Sequence, residues 1–254
     1  MRIGVIGAGS IGRPLIEALK KDGKNRVLVC DKDSCAVKKG EYAALKSILE
    51  CEHLFICVND DATESVLKQT KDYFGRVVLL SASYEIKAVK RIMKKAKSVS
   101  IFHPIQSFSA TSRRNPKFSS FYATLESTSE NAFLLKFAEK NNIKIIKLKK
   151  PTNRKIYHLS AMLAGNYTLA LLYIAEKLLK ESTGINSLTA EVFLPMVRNI
   201  VERTACENAA EALSGPSARG DKKRLKEIML EIKDAKLRNL LKVLDSATGD
   251  ILRK

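Results

Sequence analysis

An apolar run of strand length, Met1 to Ile6, is closed at once by glycines at 7, 9 and 12, and an amphipathic segment follows. Few backbones accommodate that order. Gly7 allows a sharp turn out of the strand, Gly9 leaves the loop backbone bare, and Gly12 lets the next helix lie close on the sheet. The N–H groups and positive dipole end of that helix then face across the loop, which suits a phosphate. A second apolar run, 26–30, ends in Asp31, nineteen positions past Gly12. Strand, glycine loop, helix, strand and acid at this spacing predict a Rossmann βαβ unit that holds a dinucleotide. Gly7, Ala8, Gly9, Ser10, Ile11 and Gly12 are its expected pyrophosphate contacts.

Asp31 can accept hydrogen bonds from both adenosine ribose hydroxyls, and its charge opposes a 2′-phosphate. NAD is therefore expected, with NADP as the alternative because the basic Lys32 follows directly. Asp31 as a plain turn residue is the competing role. A third strand ends in Cys57-Val58-Asn59-Asp60-Asp61, on the rim where ligands of open parallel sheets sit. Val58, Asn59 and Asp60 are expected beside ribose or pyrophosphate, with helix capping by Asp60 or Asp61 as the other use of such residues. Ser81, ending the next strand, belongs to the same rim.

Apolar runs at residues 3–6, 27–30, 54–58, 77–80, 99–102, 121–125 and 143–146 alternate with helical segments such as 11–21, 62–73 and 85–97. That alternation predicts an α/β fold with a doubly wound, mainly parallel sheet. It stops near residue 150, where Pro151 and Thr152 could form a hinge. From Arg154 the pattern is helical, to about 181 and again from 188 to 213, then in two shorter segments. The expected organisation is a Rossmann domain over 1–150 and an all-helical domain over 151–254.

Hydrophobic residues make up 45% and charged residues 28% of the 254, the balance of a chain with a sizeable buried core. A formal charge of +18 invites a nucleic-acid reading. The lysines, however, alternate with glutamates on helix faces, and aromatic residues reach only 6%. Specific nucleic-acid binding is not expected. A basic surface instead concentrates anionic cofactors and substrates. Leu159 to Ala175 is uncharged but shorter than a bilayer span, so a core or dimer-interface helix is expected, not a membrane segment. Five cysteines without a C-x-x-C pair predict neither a disulfide framework nor a metal site, and fit a reducing cytoplasm. With a strand starting at residue 1, no signal peptide is expected.

Three later segments carry candidate chemistry. In Ile101-Phe-His-Pro-Ile-Gln-Ser-Phe108, His103 ends a strand on the ligand rim, where an imidazole can take or give the proton that accompanies hydride transfer. Pro104 would force an extended exit, and Gln106 is a candidate substrate contact. His158, Met162 and Asn166 are spaced by four on a helix, so His158 and Asn166 could orient a substrate or a nicotinamide amide. Each could also satisfy neighbouring backbone or a dimer mate. In Gly215-Pro-Ser-Ala-Arg-Gly-Asp221, Arg219 could clamp an anion with its planar fork; the other reading is an interhelix turn with Asp221 capping the next helix.

Taken in order, the glycine loop, His103-Pro-Ile-Gln-Ser-Phe108, Tyr157-His158 with Asn166, and Gly215-Pro-Ser-Ala-Arg-Gly-Asp221 resemble the Rossmann-like oxidoreductases whose C-terminal half is a domain of unknown function. The resemblance spans nearly the whole chain. It implies an NAD(P)-dependent oxidoreductase acting on a small substrate, with a helical, dimer-forming second domain. More distantly the layout is similar to prephenate dehydrogenase, 3-hydroxyacyl-CoA dehydrogenase, the 3-hydroxyisobutyrate group and pyrroline-5-carboxylate reductase. By that likeness His103 leads as acid or base. Met162 stands where the hydroxyisobutyrate-type enzymes have a lysine four residues before their asparagine, so a lysine mechanism does not carry over. The expected activity is hydride transfer to or from a small, anionic hydroxy or keto acid or an imine. A dinucleotide-sensing module without turnover is the alternative.

Overall fold

The computed structural model describes residues 1–21, 23–37, 41–109, 111, 116–148 and 152–253. Two compact units divide the chain, Met1–Tyr167 and Thr168–Lys254.

The first unit is a seven-stranded sheet in the order β2-β1-β3-β4-β5-β6-β7. Its strands are β1 (Arg2–Ile6), β2 (Arg26–Cys30), β3 (His53–Ile56), β4 (Arg76–Leu79), β5 (Ser98–Ile105), β6 (Tyr122–Ser127) and β7 (Lys144–Lys147). The first five pair in parallel, β6 runs antiparallel to β5, and β7 is parallel to β6. The doubly wound, mainly parallel α/β architecture is thus present. All four residues of β3 are buried, as expected of a strand covered on both faces. Alternation along it splits the core. Phe55 joins Ile3, Val5, Leu15, Leu19 and Phe137 on one face. Leu54 and Ile56 join Leu67, Val77, Leu79 and Val89 on the other.

Helices α1 (Gly12–Lys20), α2 (Leu45–Ile48), α3 (Asp60–Gln69), α4 (Ile86–Ile92), α5 (Ala132–Lys140) and α6 (Arg154–Met162) belong to this unit. Helix α1 turns Leu15, Ile16 and Leu19 inward. Helix α3 begins two residues before the expected Ala62, because the Asn59 side chain accepts the Ala62 amide at 3.1 Å and caps the helix there. The unit also takes in α6, which sequence patterning assigned to the second domain. Side chains of α6 bind β5 and β6, as described below. Pro151, half of the expected hinge, lies outside the described residues.

The second unit contains α7 (Thr168–Thr183), α8 (Leu194–Arg203), α9 (Ala209–Ala212), α10 (Gly215–Ala218), α11 (Lys222–Glu231) and α12 (Ala235–Leu252). The helix expected over 188–213 is broken. Asn208 and Glu211 form a reciprocal capping box that starts α9 afresh. Among the described residues of this unit only Ala212 is buried. No helix among the described residues is long and apolar enough to cross a membrane.

Candidate active site

Two pockets of the first unit hold most of the residues singled out from sequence. The larger is a cleft of about 730 Å³ at the carboxyl ends of β1, β2 and β3. Here β1 has neighbours on both sides whose connections depart in opposite directions, the topological switch point of an open sheet. Gly7, Ala8, Gly9, Ser10, Ile11, Asp31, Lys32, Val58 and Asn59 line it.

The three glycines differ in what demands them. Gly7 has φ +99°, and a Cβ there would meet the Cys57 carbonyl oxygen at 2.5 Å. A Cβ on Gly12 would lie 2.1 Å from the Gly7 carbonyl oxygen. Both are therefore required by the protein's own packing. Around Gly9 a Cβ would meet nothing within 4 Å. The bare backbone at Gly9 leaves open the space a pyrophosphate needs, so the residues present fit a dinucleotide.

Asp31 stands at the end of β2. One of its carboxylate oxygens accepts the Ala8 amide at 2.6 Å and the other the Asp33 amide at 3.0 Å. Asn59 is committed to capping α3. Asp60 does not line the cleft; its carboxylate accepts hydrogen bonds from the hydroxyls of Ser81 at 3.0 Å and Ser83 at 2.6 Å. It thereby ties the end of β3 to the end of β4. Gly12 and Ser81 are likewise structural neighbours of the cleft, not part of its lining.

The second pocket, about 430 Å³, is lined by His103, Gln106, His158, Met162, Gly165 and Asn166 among others. Strand β5 reaches it by outrunning β4: pairing with β4 ends at Ile101, whereas pairing with β6 continues through His103, Pro104 and Ile105. Pro104 therefore lies inside the strand, not at an exit from it, where one edge is open and its missing N–H is tolerated. On the opposite wall, α6 passes into a π-helical turn, Leu163–Tyr167. Such wide turns are frequent at functional sites. This one carries Gly165 and Asn166.

Sequence reasoning assigned no role to the residues behind His103. Its Nδ1 lies 2.5 Å from the Tyr157 hydroxyl, which is 3.1 Å from the Thr124 hydroxyl. The two rings meet edge to face with centroids 5.4 Å apart. One turn earlier on α6, the buried Arg154 pairs with Glu126 of β6. Burial holds the His103 pKa down at about 4, with His158 and Arg154 adding to the effect and Asp60 opposing it. The imidazole is thus neutral at pH 7. Burial raises the Tyr157 pKa, while Thr124 and Arg154 act against that rise. Nδ1 of His158 is buried without a hydrogen-bond partner among the described residues. The adjacent Tyr157-His158 pair was the available signal, since neighbours on a helix can serve one site from two sides.

Arg219 belongs to the second unit. It is exposed, in the turn between α10 and α11, and Asp221 caps α11 by accepting the Arg224 amide at 3.0 Å.

Two family models match separate segments of the chain. Residues 121–248 match the family described as a domain of unknown function, DUF2520. Residues 2–85 match the family described as NADP oxidoreductase, coenzyme F420-dependent. Among solved structures, the chain is similar to the Bacteroides fragilis protein BF3122, provisionally named an NADP oxidoreductase, with a TM-score of 0.77 at 21% identity over 100% of this chain and 98% of that one. It is also similar to pyrroline-5-carboxylate reductase of Coxiella burnetii, with a TM-score of 0.63 at 17% identity over 99% and 97%. At these identities the likeness is one of fold. A 74-residue segment is 39% identical to erythronate-4-phosphate dehydrogenase of Azotobacter vinelandii, covering 29% of this chain and only 19% of that protein.

Proposed function

Since the chain belongs to the DUF2520 family, with a first third that matches an NADP oxidoreductase family, we propose that it is an NAD(P)-dependent oxidoreductase acting on a small, anionic hydroxy acid, keto acid or imine. The observation that carries this reading is the pocket where His103, His158, Gln106 and Asn166 converge, at the same carboxyl edge of the sheet as the glycine-loop cleft. A bound nicotinamide would supply or accept the hydride. The chain's own residues do the rest. The loop 7–12 and the α1 N-terminus hold the pyrophosphate, and Asp31 takes the adenosine ribose, favouring NAD with NADP as the alternative. His103 handles the proton, and His158, Gln106 and Asn166 orient the substrate. The net charge of +18 draws anionic ligands toward the protein.

The test is a titration with NADH and NADPH followed by nicotinamide fluorescence, then turnover of His103→Gln. Saturable binding and a sharply lower kcat in the variant, with dinucleotide affinity unchanged, support the reading. Unchanged turnover removes His103 from the mechanism. Dinucleotide binding with no turnover of any hydroxy acid, keto acid or imine marks a dinucleotide-sensing module instead.

The helical unit points to a homodimer. Amphipathic helices are stable when their apolar faces are covered, yet Leu169, Tyr173, Val201 and Val243 are all exposed here. A second copy of the chain would cover them. Sedimentation at micromolar concentration checks this: a monomer that keeps its thermal stability on dilution overturns it.

A further inference from the structure

The His103 ring has one nitrogen committed and one available. Nδ1 meets the Tyr157 hydroxyl, and Nε2 has no protein partner among the described residues while the ring lines the pocket. Thr124 stands directly opposite His103 in the β5–β6 ladder. Its side chain is buried, and among the described residues its hydroxyl meets only the Tyr157 oxygen. Each hydroxyl owns a single proton. A buried hydroxyl without an acceptor is costly, so Thr124 donates to Tyr157. The tyrosine's own proton then goes to Nδ1, which must be an unprotonated acceptor. A neutral imidazole in that state carries its proton on Nε2.

We propose that Tyr157, oriented by Thr124, is a positioning residue that fixes His103 as the Nε2–H tautomer, so that the pocket offers its substrate a hydrogen-bond donor and is built to reduce a ketone or imine. The inference rests on the oxidoreductase reading given above for its chemistry, but not for its geometry. In the reductive direction a bound reduced nicotinamide would supply the hydride to the carbonyl or imine carbon, leaving the π electron pair on oxygen or nitrogen. That atom takes the proton from Nε2. The N–H electron pair passes into the ring as Nδ1 takes the Tyr157 proton. The resulting phenolate keeps the Thr124 hydrogen bond and the Arg154 charge nearby, until solvent returns a proton. Neutral His103 thus acts as an acid without becoming an imidazolate.

The tautomer is read by two-bond 1H–15N correlations on histidine-labelled protein at pH 7, with neither dinucleotide nor substrate present. Nε2–H is expected in the native protein and in Thr124→Ser, which keeps the hydroxyl. In Tyr157→Phe a mixture is expected, and in Thr124→Val a shift toward that mixture. Nδ1–H in the native protein, or a Tyr157→Phe spectrum identical to native, overturns the proposal. Thr124→Ser guards against a mere folding defect, because it perturbs packing without removing the donor. Failure of dinucleotide binding would sink the oxidoreductase reading while leaving the tautomer result standing, so the two are separable. A second arm compares reduction of 2-keto acids and cyclic imines with oxidation of the matching hydroxy acids and amines. Turnover confined to the oxidative direction overturns the reductive assignment.

Discussion

The Asp31 carboxylate accepts a 2.6 Å hydrogen bond from the Ala8 amide. The acid at the end of β2 therefore shapes the glycine loop while it also stands in the cleft. Asp31→Ser removes the negative charge that opposes a 2′-phosphate, and leaves the Ala8 amide a weaker acceptor. The NADPH-to-NADH affinity ratio should rise about tenfold, equivalent to about 1.4 kcal/mol, read by parallel fluorescence titrations. An unchanged ratio would mean that Asp31 serves the loop alone.

Gly9 and Gly12 should separate ligand binding from folding. In Gly12→Ala the new methyl meets backbone at 2.1 Å, so a loss of about 1–3 kcal/mol or more in stability is expected by urea unfolding. In Gly9→Ala the methyl enters open space. Its stability should stay within about 0.5 kcal/mol of native, while dinucleotide affinity falls. Equal destabilisation of the two variants would refute the division.

His53 gives the protein a pH dependence unrelated to the pocket. It is 3% exposed, its Nδ1 has no partner among the described residues, and burial holds its pKa at about 4 against 6.5. Above pH 6.5 the folded and unfolded forms are both neutral, so no penalty exists. Below it, the unfolded chain takes a proton that the folded one refuses, and stability declines as pH falls toward 4. The contribution of His53 is on the order of 3 kcal/mol. His53→Leu should flatten the melting-temperature profile between pH 6.5 and 4, and an identical slope in both proteins counts against this account.

Arg154, buried, and Glu126, half-buried, form an ion pair between α6 and β6, with side-chain exposures of 5% and 21%. Glu126→Gln leaves the guanidinium buried without its counter-charge and should cost about 3–5 kcal/mol. The double variant Glu126→Gln, Arg154→Met should recover part of that loss, because it removes the orphaned charge as well. A double variant no more stable than the single one would assign the cost to packing.

What was legible in the sequence is what a short stretch of backbone decides for itself. Gly7 turns out of β1, Gly12 lets α1 approach, and Asp31 follows at the distance of one βαβ unit, so the cleft could be read before any fold was known. The sheet followed from alternation, because strands covered on both faces must be apolar throughout. The helical break at 204–208 was lost for the opposite reason: it turns on one capping pair, Asn208 and Glu211, against a continuous apolar pattern. Asp60 was placed on the right rim but not with Ser81 and Ser83, since that contact needs the lateral order of β3 and β4. Only the tertiary structure joined His103 to Tyr157 and Thr124. Those three sit 54 and 21 residues apart in the chain, and they meet because β6 runs antiparallel to β5 while α6 packs back across both. Local sterics write the glycine loop into twelve residues, whereas the proton-handling cluster exists only where three distant segments cross.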